Sequence, residues 1–254
     1  MKLVYSHWSA PRRPTSDHRV IFCLSVLLAR QHYSRIELVT DYAGAWMVER
    51  LRLPFDNVRT DLQEFDAPAT AWAAGKLKAY QLQDEPFIHL DQDVFLFKRL
   101  PEEIESARLV AQSREPLDWY LANMSETPPE HVARLTLPPD RWEAVNAGIL
   151  GGTDVAFIND YATKALEAVN ENQVFHPKAM TVYEQAFFSR HAYDCGKKIT
   201  VLLDYDEQAE EKGFTHLMQC KLKETCMTRV RQRLQNMDMD MYRRAVLAGD
   251  PPTR

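Results

Sequence analysis

The feature that most constrains the fold of this chain is an alternation. Across the first hundred residues, short apolar runs rich in β-branched and aromatic residues trade places with stretches of helical period, and caps or prolines mark the exchanges. Residues 2–6 read as a strand, and the loop HWSAPRRPTS leads to Asp17, the expected cap of a helix reaching residue 31. Residues 36–40 form the next strand, with Asp41 at its carboxyl end and a helix over 43–51 that Pro54 stops. A short strand over 58–60, a helix over 71–83 and Pro86 then hand the chain to a strand beginning at Phe87. Such β-α units predict a parallel sheet with right-handed crossovers. Ligands of open parallel sheets bind outside the carboxyl ends of the strands, and Tyr5, Asp41 and Asp91 all fall on that edge. Tyr5 reads there as a ligand contact or a packing aromatic, and Asp41 as a ligand contact or a helix cap.

The stretch that closes this half, FIHLDQDVFLFKRLP over 87–101, interrupts an apolar run with Asp91 and Asp93. A side-chain period of two projects both carboxylates from the same face of a strand or strand-end turn while Gln92 points away. Like charges a few ångströms apart raise one pKa strongly, so a buried pair shares a proton or holds a cation; the alternative is a solvent-capped pair at a strand end. The same D-x-D shape recurs at Asp204 and Asp206 and at Asp238 and Asp240. The first of these runs into the acidic stretch EQAEEKG, and helical spacing splays the second by about 200°.

Beyond Pro101, residues 108–113 read as a strand, and the proline-rich, polar segment 114–142 reads as a weakly structured insertion of the kind that forms lids or binding loops. VNAGILGG, residues 145–152, gathers three of the chain's eight glycines within five positions. That cluster permits close approach of backbone to a ligand, with the Asn146 amide beside it, or else a bulged strand without a ligand. It is not a dinucleotide fingerprint, and no Walker A sequence occurs. Asp154 is the expected cap of a helix through 171; a helix over 182–193 carries Glu184 and Gln185, and 199–203 returns to a strand. His216 precedes Lys221 and Lys223, and a basic amphipathic helix over 225–248 closes the chain, its methionines on the core side.

A net charge of −5 gives no electrostatic reason to expect a nucleic-acid partner. Cys23, Cys195, Cys220 and Cys226 have no C-x-x-C spacing and read as buried free thiols in a reducing compartment. The start of the sequence lacks the apolar core of a secretory signal, and its most apolar stretch, VIFCLSVLLA, has half of the roughly twenty residues a membrane span needs. No transmembrane segment and a cytoplasmic location are the expectation, with peripheral membrane contact left open.

The order of these motifs resembles a family, the GT-A-fold, D-x-D-containing nucleotide-sugar glycosyltransferases. The resemblance lies in the β-α-β-α start, the helix with Lys76 and Lys78, HLDQDVFL, NAGILGG, the YEQAFF helix and the late His216 with its following lysines, and it spans residues 3–223. It implies an α/β fold with a GT-A-type, Rossmann-like mixed sheet flanked by helices and a C-terminal amphipathic helix. It further implies one domain over 1–254, with a nucleotide-binding half at 1–101, a sugar and acceptor half at 102–224 and the terminal helix at 225–254. By resemblance Asp93 is a ligand of Mn2+ or Mg2+ bridging the donor diphosphate, and Asp91 contacts the metal or the ribose. His216 matches the additional metal ligand of retaining members, and Lys221 or Lys223 a diphosphate contact. The sequence departs here from the H-x-x-G-x-x-K-P-W pattern of one such group, lacking the glycine and the P-W. Asn146, Gly148 and Gly151 match the segment lining the sugar site. Glu184 and Gln185 match the helix facing donor and acceptor, and Tyr5, Asp41 and Lys76 fall in the donor-binding half.

The implied enzyme is a hexosyltransferase-like transferase that moves a sugar from a nucleoside-diphosphate sugar to a glycan or other hydroxyl acceptor. Breaking the bond from anomeric carbon to phosphate builds negative charge on the leaving group, which a divalent cation stabilises. Oxygen ligands suit Mg2+ or Mn2+, and one imidazole tilts the choice to Mn2+. Glu184 is the candidate base, nucleophile or acceptor ligand, with a helix-surface glutamate as its plain alternative. A rival resemblance, to haloacid-dehalogenase-like phosphatases, makes Asp91 the nucleophile and Asp93 the acid/base. It expects an aspartate near the start of the chain and a downstream acidic pair that the sequence does not supply. A non-catalytic nucleotide-sugar-binding module is the third reading and leaves the polar motifs unexplained.

Overall fold

The computed structural model describes residues 1–11, 14–172, 175–204 and 209–249. The strands are β1 (Lys2–His7), β2 (Ile36–Thr40), β3 (Asn57–Arg59), β4 (Phe87–Leu90), β5 (Val94–Leu96), β6 (Val110–Glu115), β7 (Ala144–Gly152), β8 (Thr200–Leu203) and β9 (Phe214–His216). Among the described residues, seven of them form one sheet in the order β3-β2-β1-β4-β7-β6-β8, and β5 pairs with β9 apart from it. β1, β2, β3 and β4 run parallel, as the β-α alternation predicts. β7 runs antiparallel to both β4 and β6, and β6 is parallel to β8, so the sheet is mixed. One edge therefore collects the carboxyl ends of β1, β2, β4, β6 and β8 together with the start of β7.

The helices are α1 (Ser16–Arg30), α2 (Tyr42–Leu51), α3 (Ala74–Gln81), α4 (Glu102–Glu105), α5 (Leu121–Met124), α6 (Pro129–Leu135), α7 (Val155–Glu171), α8 (Phe187–Asp194), α9 (Ala209–Lys212), α10 (Glu224–Met237) and α11 (Met239–Leu247). Successive strand residues face opposite sides of the sheet, which sorts the core into two layers. Leu3, Tyr5, Leu38, Ile88 and Ile149 pack with α1, α10 and α11, while Val4, Val39, Phe87 and Leu150 pack with α3, α7 and α8. Covering both faces is what makes the central strands near-continuous apolar runs. Met227 and Met241 are buried, as the apolar face of the C-terminal segment requires. No helix among the described residues is long and apolar enough to cross a membrane.

Several local expectations are corrected. Thr15, not Asp17, caps α1: its hydroxyl accepts from the His18 amide at 3.2 Å, while Asp17 pairs with Arg231 at 2.8 Å. The terminal helix is two helices, because Asp238 leaves the helical region (φ −155°) and its carboxylate accepts from the Met241 amide at 2.8 Å, starting α11. That bond also explains the D-x-D at 238; Asp204 of the other repeat is exposed, and Asp206 lies outside the described residues. The segment 114–142 is not a loose insertion, since it holds α5, α6 and two 3-10 turns anchored by buried Tyr120, Leu135 and Leu137. The helix carrying Glu184 begins with a π-helical turn, Val182–Ala186, before α8. Of the cysteines, Cys23 alone is buried; Cys195 and Cys220 are exposed and Cys226 is intermediate.

Candidate functional site

β4 ends at Leu90, and the three residues DQD turn the chain into β5. The Asp91 amide donates to the Gly148 carbonyl at 2.8 Å, and the Val94 amide donates back to the Asp91 carbonyl at 3.0 Å. The pair thus lies on the strand-end turn, one of the two placements its spacing allows, and it converges there. Gln92 points away, its amide donating to the Ser6 carbonyl at 2.6 Å. β9 supplies the third member: His216 is registered opposite Val94, and the Leu217 amide donates to the Asp93 carbonyl at 3.0 Å. Ligand atoms of Asp91, Asp93 and His216 lie within 4.8 Å of one another. His216 Nε2 is 3.3 Å from Asp93 Oδ1, and Lys221 Nζ donates to Asp93 Oδ2 at 2.7 Å. Burial pushes the Asp93 carboxyl up, but the neighbouring His216 and Lys221 outweigh it and hold the group well below the usual carboxylate range.

Beneath Asp91 lies a second charge cluster. Lys76, buried on α3, places Nζ 2.6 Å from Asp91 and 2.8 Å from Glu184, and donates to the Ala147 carbonyl at 2.7 Å. Burial works against the ammonium, and the two carboxylates more than offset it, so Lys76 stays cationic. Glu184 is 0% exposed, and burial raises its carboxyl even with Lys76 beside it. One cation shared between two carboxylates leaves the deeper one short of compensation.

Behind Asn146 a third set of polar groups joins the sheet edge to the π-helical turn. Asn146 Nδ2 donates to Glu115 at 2.7 Å, and its Oδ1 accepts from the Gly148 amide at 2.9 Å. The Tyr120 hydroxyl bonds Glu115 and lies 2.7 Å from Gln185 Oε1. The π-helical turn thereby places Glu184 against Lys76 while Gln185 faces Tyr120.

Over residues 1–246 the sequence matches the model described as Family of unknown function (DUF6734). The chain belongs to that family. No curated protein matches this DUF6734 chain. Among solved structures it is similar to mouse xyloside xylosyltransferase 1 in its apo form, with TM-score 0.46 and 12% identity over 87% of this chain and 93% of that one. It is also similar to the galactosyltransferase LgtC in complex with donor and acceptor sugar analogs, with TM-score 0.41 and 13% identity over 72% of this chain and 70% of that one. Both neighbours are glycosyltransferases by name.

Several residues expected to bind the donor have partners within the protein. Tyr5 is fully buried, its hydroxyl bonded to Ser25 at 3.0 Å, so it is the packing aromatic of the two readings. Asp41 caps α2, accepting from the Gly44 amide at 2.8 Å and the Ser9 amide at 2.7 Å. Gly151 serves the sheet: a Cβ there would stand 2.2 Å from the Phe87 carbonyl oxygen. Lys76 is held by protein groups, and Glu184 is no surface glutamate. Sequence reasoning passed over Gln112, Glu115 and Tyr120. A glutamine inside an apolar strand and a glutamate before Pro116 were the available signals, neither with a spacing that marks a site.

Proposed function

We propose that this protein transfers a sugar from a nucleoside-diphosphate sugar to a hydroxyl acceptor with the help of Mn2+ or Mg2+. The observation that carries the reading is the convergence of Asp91, Asp93 and His216 at the carboxyl edge of a largely parallel sheet, where open α/β sheets bind ligands. Atoms ligating one ion at about 2.1 Å stand roughly 3 to 4.2 Å apart, so closing this group takes a shift on the order of half an ångström. Two carboxylates and an imidazole suit Mn2+ in particular. Bound there, the ion would act as a Lewis acid for the charge of the leaving nucleoside diphosphate.

The chain's own groups fill the remaining roles. Lys221, whose side chain is 46% exposed, is the cation free to leave Asp93 for a diphosphate oxygen. Asn146 is fixed by Glu115 and by the Gly148 amide, and Gln185, partly exposed beside Tyr120, faces the donor sugar or acceptor. The base, nucleophile and acceptor-ligand roles considered for Glu184 each need an accessible carboxylate. Its complete burial favours a different task, holding Lys76 and through it Asp91. In this reading residues 1–101 hold the nucleotide and 102–224 the sugar and acceptor.

The test is calorimetry of nucleoside diphosphates with and without Mn2+, guided by a thermal-shift screen of sugar nucleotides, since ligands of the native state raise apparent stability. Mn2+-dependent binding to the wild type that Asp93→Ala abolishes is the expected result. No Mn2+-dependent binding of any nucleoside diphosphate to the wild type would overturn the reading.

A further inference from the structure

Gln112 is buried on β6, inside the sheet rather than on the D-x-D turn, and its Oε1 lies 2.9 Å from His216 Nδ1. We infer that Gln112 is a positioning residue for the imidazole. It accepts the Nδ1 proton of His216 and so leaves the lone pair of Nε2 as the ring's metal-binding atom, aimed at the two aspartates. The inference rests on the metal site proposed above.

Three independent features of the fold support it. First, the β6–β7 ladder shifts register between Ala111 and Ser113, so Gln112 sits at the irregularity itself. Such irregularities re-aim a side chain that regular pairing would fix in another direction. Second, the space in which amide and imidazole meet is left by a glycine. A Cβ on Gly148 would stand 2.5 Å from Gln112 Oε1 and 2.5 Å from His216 Nδ1, so the third residue of NAGILGG makes room for this contact. Third, the opposite ring nitrogen is the one that faces the carboxylates, with Nε2 3.3 Å from Asp93 Oδ1.

The chemistry favours an amide in this position. A neutral imidazole carries one N–H and one lone pair, and the hydrogen bond at one nitrogen decides which atom can ligate. A glutamine oxygen fixes the tautomer without adding a third negative charge to a cluster that already holds Asp91 and Asp93. Partners of this kind orient a ligating histidine, and their loss typically lowers metal affinity about 10- to 100-fold.

The experiment combines a tautomer readout with a binding readout. In metal-free protein at mildly alkaline pH, 15N–1H correlation of the His216 side chain reports which nitrogen is protonated; Mn2+ titration followed by electron paramagnetic resonance reports affinity. The wild type is expected to show Nδ1–H. Gln112→Met, of similar volume but without an acceptor at that position, is expected to lose that preference and to weaken Mn2+ by about 10-fold or more. Gln112→Glu is expected to retain both. Should Gln112→Met fail to fold, Gln112→Asn, whose shorter amide cannot reach the ring, takes its place with the same expectation. An Nε2–H tautomer in the wild type, or a Gln112→Met or Gln112→Asn variant that keeps tautomer and affinity unchanged, would overturn the role of Gln112. A wild type that shows Nδ1–H but binds no Mn2+ would sink the metal site, and with it the positioning role.

Discussion

Glu184 and Lys76 form a buried ion pair at 2.8 Å, and among the described residues no hydrogen bond supports the Glu184 carboxylate beyond it. Removing one partner of such a pair strands a charge in the core, which typically costs about 3 to 5 kcal/mol. Lys76→Met is therefore expected to lose stability of that order in urea unfolding. Adding Glu184→Gln should recover a large part of the loss, because the stranded group is then neutral. Equal losses in the single and double variants would mean that the pair is not coupled.

Acid should destabilise the fold through its histidines before its carboxylates titrate. Burial lowers His7, and burial with the nearby His7, Lys221 and Arg19 charges lowers His18 from 6.5 to about 3, against the attraction of Asp93. His7 Nε2 and His18 Nδ1 are closed off from solvent without a hydrogen-bond partner. Above the unfolded value both states are neutral. As pH falls below it, the unfolded chain takes up protons that the fold refuses, so stability declines toward the folded value. Each such histidine contributes a slope of up to about 1.4 kcal/mol per pH unit. Urea midpoints between mildly acidic and neutral pH should fall with acid in the wild type and fall less steeply in His18→Gln. Identical slopes would exclude His18 as a contributor.

How much of this was legible in the sequence depends on whether the signal was local. The strand-helix alternation and the caps Asp41 and Asp154 depend on neighbours within a few residues, and they appear where their patterns put them. The D-x-D stood out through its place after the β-α units, and of the strand and the strand-end turn that its pattern allowed, the turn is what carries it. Lys76 and His216 reach the aspartates only because α3 packs under β4 and because β9 pairs with β5, contacts separated by many residues in sequence. Gln112 is the extreme case, since its role depends on a register shift and on a glycine in the neighbouring strand. Tyr5 was ambiguous because an aromatic at a strand end gives no sign of which way it points.

The buried Tyr5 makes a specific test of that ambiguity. Its hydroxyl bonds Ser25, whose own hydroxyl donates to the Val94 carbonyl at 2.6 Å, tying α1 to β5 behind the D-x-D turn. Tyr5→Phe removes one internal hydrogen bond, which costs about 1 kcal/mol. Calorimetry of any nucleoside diphosphate that binds the wild type should give the same affinity for the variant. A large loss of affinity with unchanged stability would restore Tyr5 to the donor site.

The two glycines of NAGILGG that matched a sugar site should part company when each gains a methyl group. At Gly151 the added Cβ meets the Phe87 carbonyl oxygen at 2.2 Å and the Ile88 Cα at 2.7 Å, both backbone atoms of the paired strand. Neither can yield without opening the β4–β7 ladder at the register pair Ile88 and Gly151. Gly151→Ala is thus expected to cost about 3 kcal/mol, the upper end of overpacking, and to lower the urea midpoint. At Gly148 the atoms in the way are the ends of two side chains, Gln112 and His216, which can swing aside. Gly148→Ala should therefore unfold at nearly the wild-type midpoint while separating amide from imidazole and weakening Mn2+ by about 10-fold or more. Comparable stability losses at both positions would mean that Gly148, too, is a packing glycine, and that the space it leaves is not reserved for the histidine.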